Sequence, residues 1–283
     1  MKVIDFRFRP PTAPFKNSLQ GLVGETKSST GGRIPPGSMV LESYWSSDLA
    51  GCVREMAEAD TIGVVPGRAA PASLAISNDH LKSVVDEYPD RFIPVAGINP
   101  NDMRGCQEEI DRIAKLRFKG VHFDPGYQVP HMLPSDGRWY PVYDQASDLG
   151  LILILQIGPR AGYDLEEMSP IYVDRIARDF PSLQIVIAHA CWPLIDEMLA
   201  VIWKRSNVWL SPDNYQFRPL GMRYVEMVNY DSPVQDRYLY GSAYPFGHGI
   251  KEGLAEWKKL PWKDNIVEKL LYGNAANLLG LAR

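Results

Sequence analysis

Arg7 and Arg9 stand two residues apart in the opening run Ile4-Asp-Phe-Arg-Phe-Arg9. Side chains at that spacing share one face of a strand. Two guanidinium forks on one face suit a carboxylate or a phosphate, since each fork can donate two parallel hydrogen bonds. Arg68 is a third candidate for the same anion. A second use is also open to these arginines. Burying a guanidinium is costly unless an acid pairs with it, and Asp5, Asp124 and Asp213 are the acids on hand. His122 and Asp124 also lie two apart and share a face, as an oriented base or a substrate anchor. His189 has the residue type for a general acid or base, or for a hydrogen-bonded scaffold position. Gln156, Asp213 and Tyr244 complete the set as expected substrate contacts. The partner these residues imply is a small anionic molecule, a carboxylate or a phosphate.

The elements that must position them alternate. Strand-like runs fall at Val3–Phe8, Thr61–Val65, Phe92–Ala96, Gly120–Phe123, Leu151–Ile157, Leu183–Ala188, Val208–Ser211 and Arg237–Tyr240, with helical stripes between them. Asp48 and Asn78 are the expected caps of the first two stripes. Strands alternating with helices imply a parallel sheet. Eight such units predict an α/β fold, a single (β/α)8 barrel of the TIM type over residues 1–283. It carries a long loop after strand 1 (Pro10 to Ser47) and extra C-terminal helices (Ile250 to Trp257 and Asn265 to Leu279). The rival is an open doubly wound sheet. In a closed barrel the chemistry gathers at the C-terminal strand ends, where every residue named above falls. On strand 1, Ile4, Phe6 and Phe8 are expected to pack under helices while the charged face points into the mouth. A long loop in a compact domain is expected to act as a lid or be disordered.

The composition narrows the classes further. Hydrophobic residues are 45% and charged residues 23% of 283, and 23 Gly and 23 Pro carry no period, so neither a disordered nor a fibrous chain fits. A net charge of −4 gives no electrostatic case for nucleic acid. Three cysteines without close spacing suggest no disulfide framework and a cytoplasmic setting. The most apolar stretch, Leu149 to Ile157, is about half the length that spans a bilayer, so no membrane is expected. No Gly-x-Gly-x-x-Gly follows strand 1, so no dinucleotide cofactor is expected. His131 and His248 fall in loops and His80 on a helix, with no role assigned. A homodimer is the assembly that base rates favour.

The order of segments resembles the amidohydrolase superfamily, in particular its amidohydrolase-related branch of aminocarboxymuconate semialdehyde decarboxylase-like proteins. The resemblance rests on Ile4-Asp5-Phe-Arg7-Phe-Arg9, Ala188-His189-Ala-Cys191, Gly241-Ser242-Ala243-Tyr244-Pro245 and Tyr272-Gly-Asn-Ala-Ala-Asn-Leu-Leu279. It implies a metal held by two strand-1 histidines, a strand-5 histidine and a strand-8 aspartate, with a strand-6 histidine nearby. Here those positions carry Arg7, Arg9, Gln156 and Ala243, and only His189 remains. The expectation is therefore no metal and no cofactor at that site. The function expected is hydrolysis, without a metal, of a small carboxylate-bearing substrate, as in the superfamily's pyrone dicarboxylate lactonases. Arg7, Arg9 and Arg68 would clamp the acid, and His189 or Asp124 would deprotonate a water. Those lactonases use the strand-8 aspartate as base, which Ala243 cannot replace. Two alternatives stand beside it: a non-catalytic anion-binding or partner-subunit barrel, and a decarboxylase of ring carboxylic acids.

Overall fold

The computed structural model describes residues 1–29, 39–159, 164–230 and 232–281. Among them run seven parallel strands: β1 (Val3–Asp5), β2 (Thr61–Pro66), β3 (Phe92–Gly97), β4 (Gly120–Phe123), β5 (Ile152–Gln156), β6 (Ile185–Ala188) and β7 (Val208–Ser211). They pair in strict sequence order from β1 to β7. A doubly wound sheet reverses its strand order partway, so that rival is set aside and the fold is α/β, of the TIM-barrel kind.

Residues alternate between two apolar layers. Ile4, Phe6, Val64, Val95, Ile154, Val186 and Trp209 fill one cluster, the barrel interior. Their neighbours Val65, Val121, Phe123, Leu153, Leu155, Ile185 and Ile187 belong to the second, larger cluster together with the apolar stripes of the helices. A strand covered on both faces reads as a continuous apolar run, and β5 is buried throughout. Ala275 and Ala276 of the last helix, and Leu279 just after it, join the interior cluster beside Ile62 and Ile93. Those two residues lie at the starts of β2 and β3, so the C-terminal helix stops the barrel at the end away from the strand termini where chemistry collects.

Several expectations need correction. Strand 1 ends at Asp5 rather than Phe8, because Asp5 Oδ1 accepts the amide of Arg7 (3.0 Å). That local turn breaks the alternation after Phe6. Ile4 and Phe6 still share a face, but it is the barrel interior rather than the helix side, and only Phe8, beyond the turn, packs with the helices. The eighth strand, Arg237–Tyr240, is a bridge rather than a ladder. Leu210 N donates to Arg237 O (2.9 Å), Leu239 N to Leu210 O (2.8 Å), and Phe6 N to Tyr240 O (2.8 Å). Ser242 reinforces the closure, its amide and hydroxyl bonding Asp5 at 2.9 and 2.5 Å.

The stretch Pro10 to Ser47 is not a plain loop. It holds the helices Ala13–Ser29 and Glu42–Ser46, and its residues 30–38 lie outside the described part. Asp48 caps its helix as expected, accepting from Gly51 N (2.5 Å). Ser77, not Asn78, caps the next one by accepting from His80 N (3.2 Å). Asn78 is instead turned to β3, exchanging hydrogen bonds with Gly97 (2.8 and 3.0 Å). The final helical run is broken into a turn at Asp264–Ile266, a wide turn at Lys269–Gly273 and a helix at Asn274–Leu278. Among the described residues no helix is long and apolar enough to cross a membrane.

Arg237 anchors the short closing segment. Its guanidinium donates to Pro233 O (3.0 Å), Arg205 O (2.8 Å) and Ile202 O (2.7 Å). Losing these charge-assisted bonds is expected to cost about 2–3 kcal/mol. Arg237→Met should therefore lower the urea midpoint of unfolding with the slope unchanged; an unmoved midpoint would remove Arg237 from the closure.

Candidate functional site

Arg7 lies at the centre of the barrel mouth and is fully shielded from water. The bend after Asp5 sets its direction. Its Nη2 donates to Gln156 Oε1 at the end of β5, and its Nε lies 3.2 Å from Asp213 Oδ2 beyond β7. Its Nη1 is buried and, among the described residues, finds no acceptor. Burial pushes the guanidinium below its ordinary range, while Asp213 and Asp124 oppose that shift.

Arg68 is spoken for. It grips Asp124 with two bonds, Nε to Oδ2 at 2.5 Å and Nη2 to Oδ1 at 3.0 Å. Burial disfavours the charge on Asp124, but Arg68, His122 and Arg7 outweigh it and hold the carboxyl at about 2. A carboxylate that acidic and that firmly held is a poor base. His122 stands on the same face, with Nδ1 2.7 Å from Gly67 O. A carbonyl only accepts, so Nδ1 carries the hydrogen and Nε2 presents a lone pair. That Nε2 is buried without a partner among the described residues. Burial and the two nearby arginines push His122 down to about 3, against the pull of Asp124. It is thus a neutral acceptor near pH 7.

Arg9 differs from the other two. Its Nη1 donates to the carbonyls of Ala243 (3.2 Å) and Tyr244 (3.3 Å), and its guanidinium lies over the Phe246 ring at 5.3 Å. It forms no ion pair among the described residues. Burial, then Arg7 and Arg68, lower it to about 9. Arg7, Arg9, Arg68 and His122 line one cavity, roofed by Phe15, Ser18 and Leu19 of the helix Ala13–Ser29. Its free volume is about 10 Å³, room for about one water. A larger guest therefore needs that helix to shift.

Asp213 and His189 meet beyond Arg7, outside the lining of that cavity. His189 Nε2 lies 3.6 Å from Asp213 Oδ2, and Ser211 Oγ donates to Asp213 Oδ1 (2.6 Å). Burial raises Asp213 to about 6, although Arg7 and Ser211 pull it down. The packing here leaves no slack. A Cβ on Gly241 would lie 2.5 Å from Asp213 Oδ1 and 3.2 Å from Arg7 Cγ, and one on Gly158 would lie 2.9 Å from His189 Cβ. His189, Ala190, Cys191, Asp213 and Ala243 all adopt positive φ, between 48° and 67°. Non-glycine residues there cost on the order of 1 kcal/mol each and gather at functional sites.

Sequence-predicted residues thus converge, several in roles other than those expected: Arg68 and Asp124 grip each other, and Gln156 holds Arg7. Tyr244 turns its ring away, stacked on Phe8 at 4.9 Å and edge-on to Tyr44 at 5.6 Å, and reaches the mouth through its carbonyl. Asp5 serves Ser242 and the Arg7 amide rather than a guanidinium. Sequence reasoning missed the pairing of Asp213 with His189, and the contact of His131 with Glu167 (Nδ1 to Oε1, 2.7 Å). The metal that the family resemblance implies does not fit the residues at its positions. Gln156 Oε1 is taken by Arg7, Arg7 and Arg9 bring positive charge, and Ala243 has no donor atom.

A family model described as Amidohydrolase matches residues 53–281. No curated protein matches the chain. An uncharacterized TIM-barrel protein from Bordetella bronchiseptica is 32% identical, with 99% of each chain covered and a TM-score of 0.86. The fold is shared at lower identity with a dihydroxybenzoic acid decarboxylase from Polaromonas sp., solved with manganese and 2-nitroresorcinol (17% identical, 100% of this chain and 98% of that one, TM-score 0.69). It is shared as well with a probable 2-pyrone-4,6-dicarboxylic acid hydrolase from Acinetobacter baumannii, with citric acid bound (12% identical, 99% and 100% covered, TM-score 0.65). The family match spans well over half of the chain and takes in every strand from β2 onward, and on that ground the chain belongs to the amidohydrolase family.

Proposed function

We propose that this amidohydrolase-family chain hydrolyses a small carboxylate-bearing ester, such as a lactone, without a metal. The observation that carries this reading is the division of labour among the three buried arginines. Asp124 pairs with Arg68 and Asp213 with Arg7, while Arg9, among the described residues, meets only backbone carbonyls and the Phe246 ring and lines the same cavity. A buried cation without a carboxylate favours an anionic guest. Arg9 would anchor the substrate carboxylate. Arg7 Nη1 would donate to the carbonyl oxygen and hold the charge that develops there.

The base falls to Asp213 with His189 rather than to Asp124. At about 6, Asp213 is ionised at neutral pH and still basic enough to accept a proton. Water held by the His122 Nε2 lone pair attacks the ester carbonyl and yields its proton to the Asp213–His189 pair. The carbon–oxygen bond of the ring then breaks, and the departing alkoxide takes that proton back. The products are the hydroxyl and the acid, with no further reactant needed. A small dicarboxylic lactone fits these requirements, as does the name of the Acinetobacter hydrolase of the same fold.

Turnover of carboxylate-bearing lactones by chelator-treated protein tests the reaction. The expected kcat/KM rises with pH through about 6, as Asp213 ionises, and Asp213→Asn lowers kcat about a hundredfold or more. An unchanged rate in that variant removes Asp213 from the chemistry. Release of carbon dioxide from ring acids would identify a decarboxylase instead, and tight binding with no turnover a non-catalytic barrel.

The anchor has its own test. Arg9→Met should raise KM at least tenfold with a smaller change in kcat, the signature of lost uniform binding. It should also abolish the thermal shift produced by small dicarboxylates. If the shift persists at full size in Arg9→Met, the carboxylate sits elsewhere.

A further inference from the structure

We propose that His131, Asp164 and Glu167 form a binding site for one divalent transition ion, zinc or manganese, beside the arginine mouth and separate from it. His131 follows the turn beyond β4. Asp164 and Glu167 follow β5, with Glu167 in the short turn Leu165–Met168. Each offers one ligand atom, and the three atoms lie within 4.8 Å of one another. His131 Nδ1 is 2.7 Å from Glu167 Oε1, and its Nε2 is 3.9 Å from Asp164 Oδ2.

The burial of the three side chains differs in a useful way. The Glu167 side chain is 3% exposed, His131 42% and Asp164 70%. One fixed, buried carboxylate is therefore faced by two ligands free to rotate. Zinc bonds to nitrogen and oxygen run about 2.0–2.2 Å, which sets ligand atoms about 3.4 Å apart in a tetrahedron. Rotation of the two accessible side chains closes that gap. A divalent ion also offsets the cost of the buried carboxylate whichever protonation state His131 is in. One imidazole and two carboxylates form a donor set that zinc and manganese both accept.

The second observation is the space beside them. Asp164 and Glu167 line a cavity of about 60 Å³, shared with Gln156, Gly158 and Pro159. Three protein ligands leave coordination positions open, and this cavity receives them. Its wall at Gln156 is the residue whose amide oxygen Arg7 holds. Among the described residues the cluster and the cavity lining hold no arginine, in contrast to the mouth with Arg7, Arg9 and Arg68.

The site is independent of the lactonase reading. Untagged, chelator-treated protein is titrated with zinc by calorimetry, and with cobalt while its visible spectrum is followed. The expected result is one ion per chain with a dissociation constant in the micromolar range. His131→Ala and Glu167→Gln should each weaken it at least tenfold and remove the cobalt bands, while Arg9→Met leaves both intact. Wild-type affinity in His131→Ala and Glu167→Gln overturns the proposal, as does the absence of binding at about 1 mM zinc. His131 is accessible, so His131→Ala decides the matter if Glu167→Gln fails to fold.

Discussion

A guanidinium cut off from water at the centre of the barrel mouth constrains the structure around it. Arg7 can stay there only if charge and acceptors are brought to it. β5 supplies Gln156, and the turn after β7 supplies Asp213. Asp5 bends the backbone so that the side chain enters the mouth at all. Gly241 leaves the room that any larger residue would take from Asp213 and Arg7. The left-handed backbone at Asp213 and Ala243 is the conformational cost of the same arrangement.

That constraint also divides the acids into two kinds. Asp124 and Asp213 are both buried and both face an arginine, yet one is held at about 2 and the other rises to about 6. The two-bond fork of Arg68 accounts for the first. Arg7 shares itself between Gln156 and Asp213 and cannot hold the second as firmly. Two carboxyls with different acidities in one mouth are the usual arrangement for acid and base work.

The barrel was legible because its strands are short, apolar and regularly spaced. The residues of the mouth were legible because they fall at strand ends. Their partnerships were not. Arg68 meets Asp124 across 56 positions and Arg7 meets Gln156 across 149, and no local pattern carries such a pairing. Arg7 reaches the mouth, as its spacing from Arg9 suggested, but through a bend rather than through strand alternation. The helix Ala13–Ser29 hid in a run without a clear apolar stripe. Tertiary contacts stabilise it: Ser18 Oγ on Leu74 O (2.8 Å), and Lys16 Nζ on Trp45 O and Ser47 O (2.9 and 2.8 Å).

The thin closure of the barrel bears on all of this. Between β7 and β1 the ladder is reduced to a few backbone bonds around Leu210, Leu239 and Phe6. A cylinder breathes first along its weakest seam. Arg7 stands on one lip of that seam and Asp213 on the other. A guest that engages both would act as a stitch, slowing amide exchange along strands it never touches. Occupancy of the mouth would then be felt as rigidity around the whole circumference.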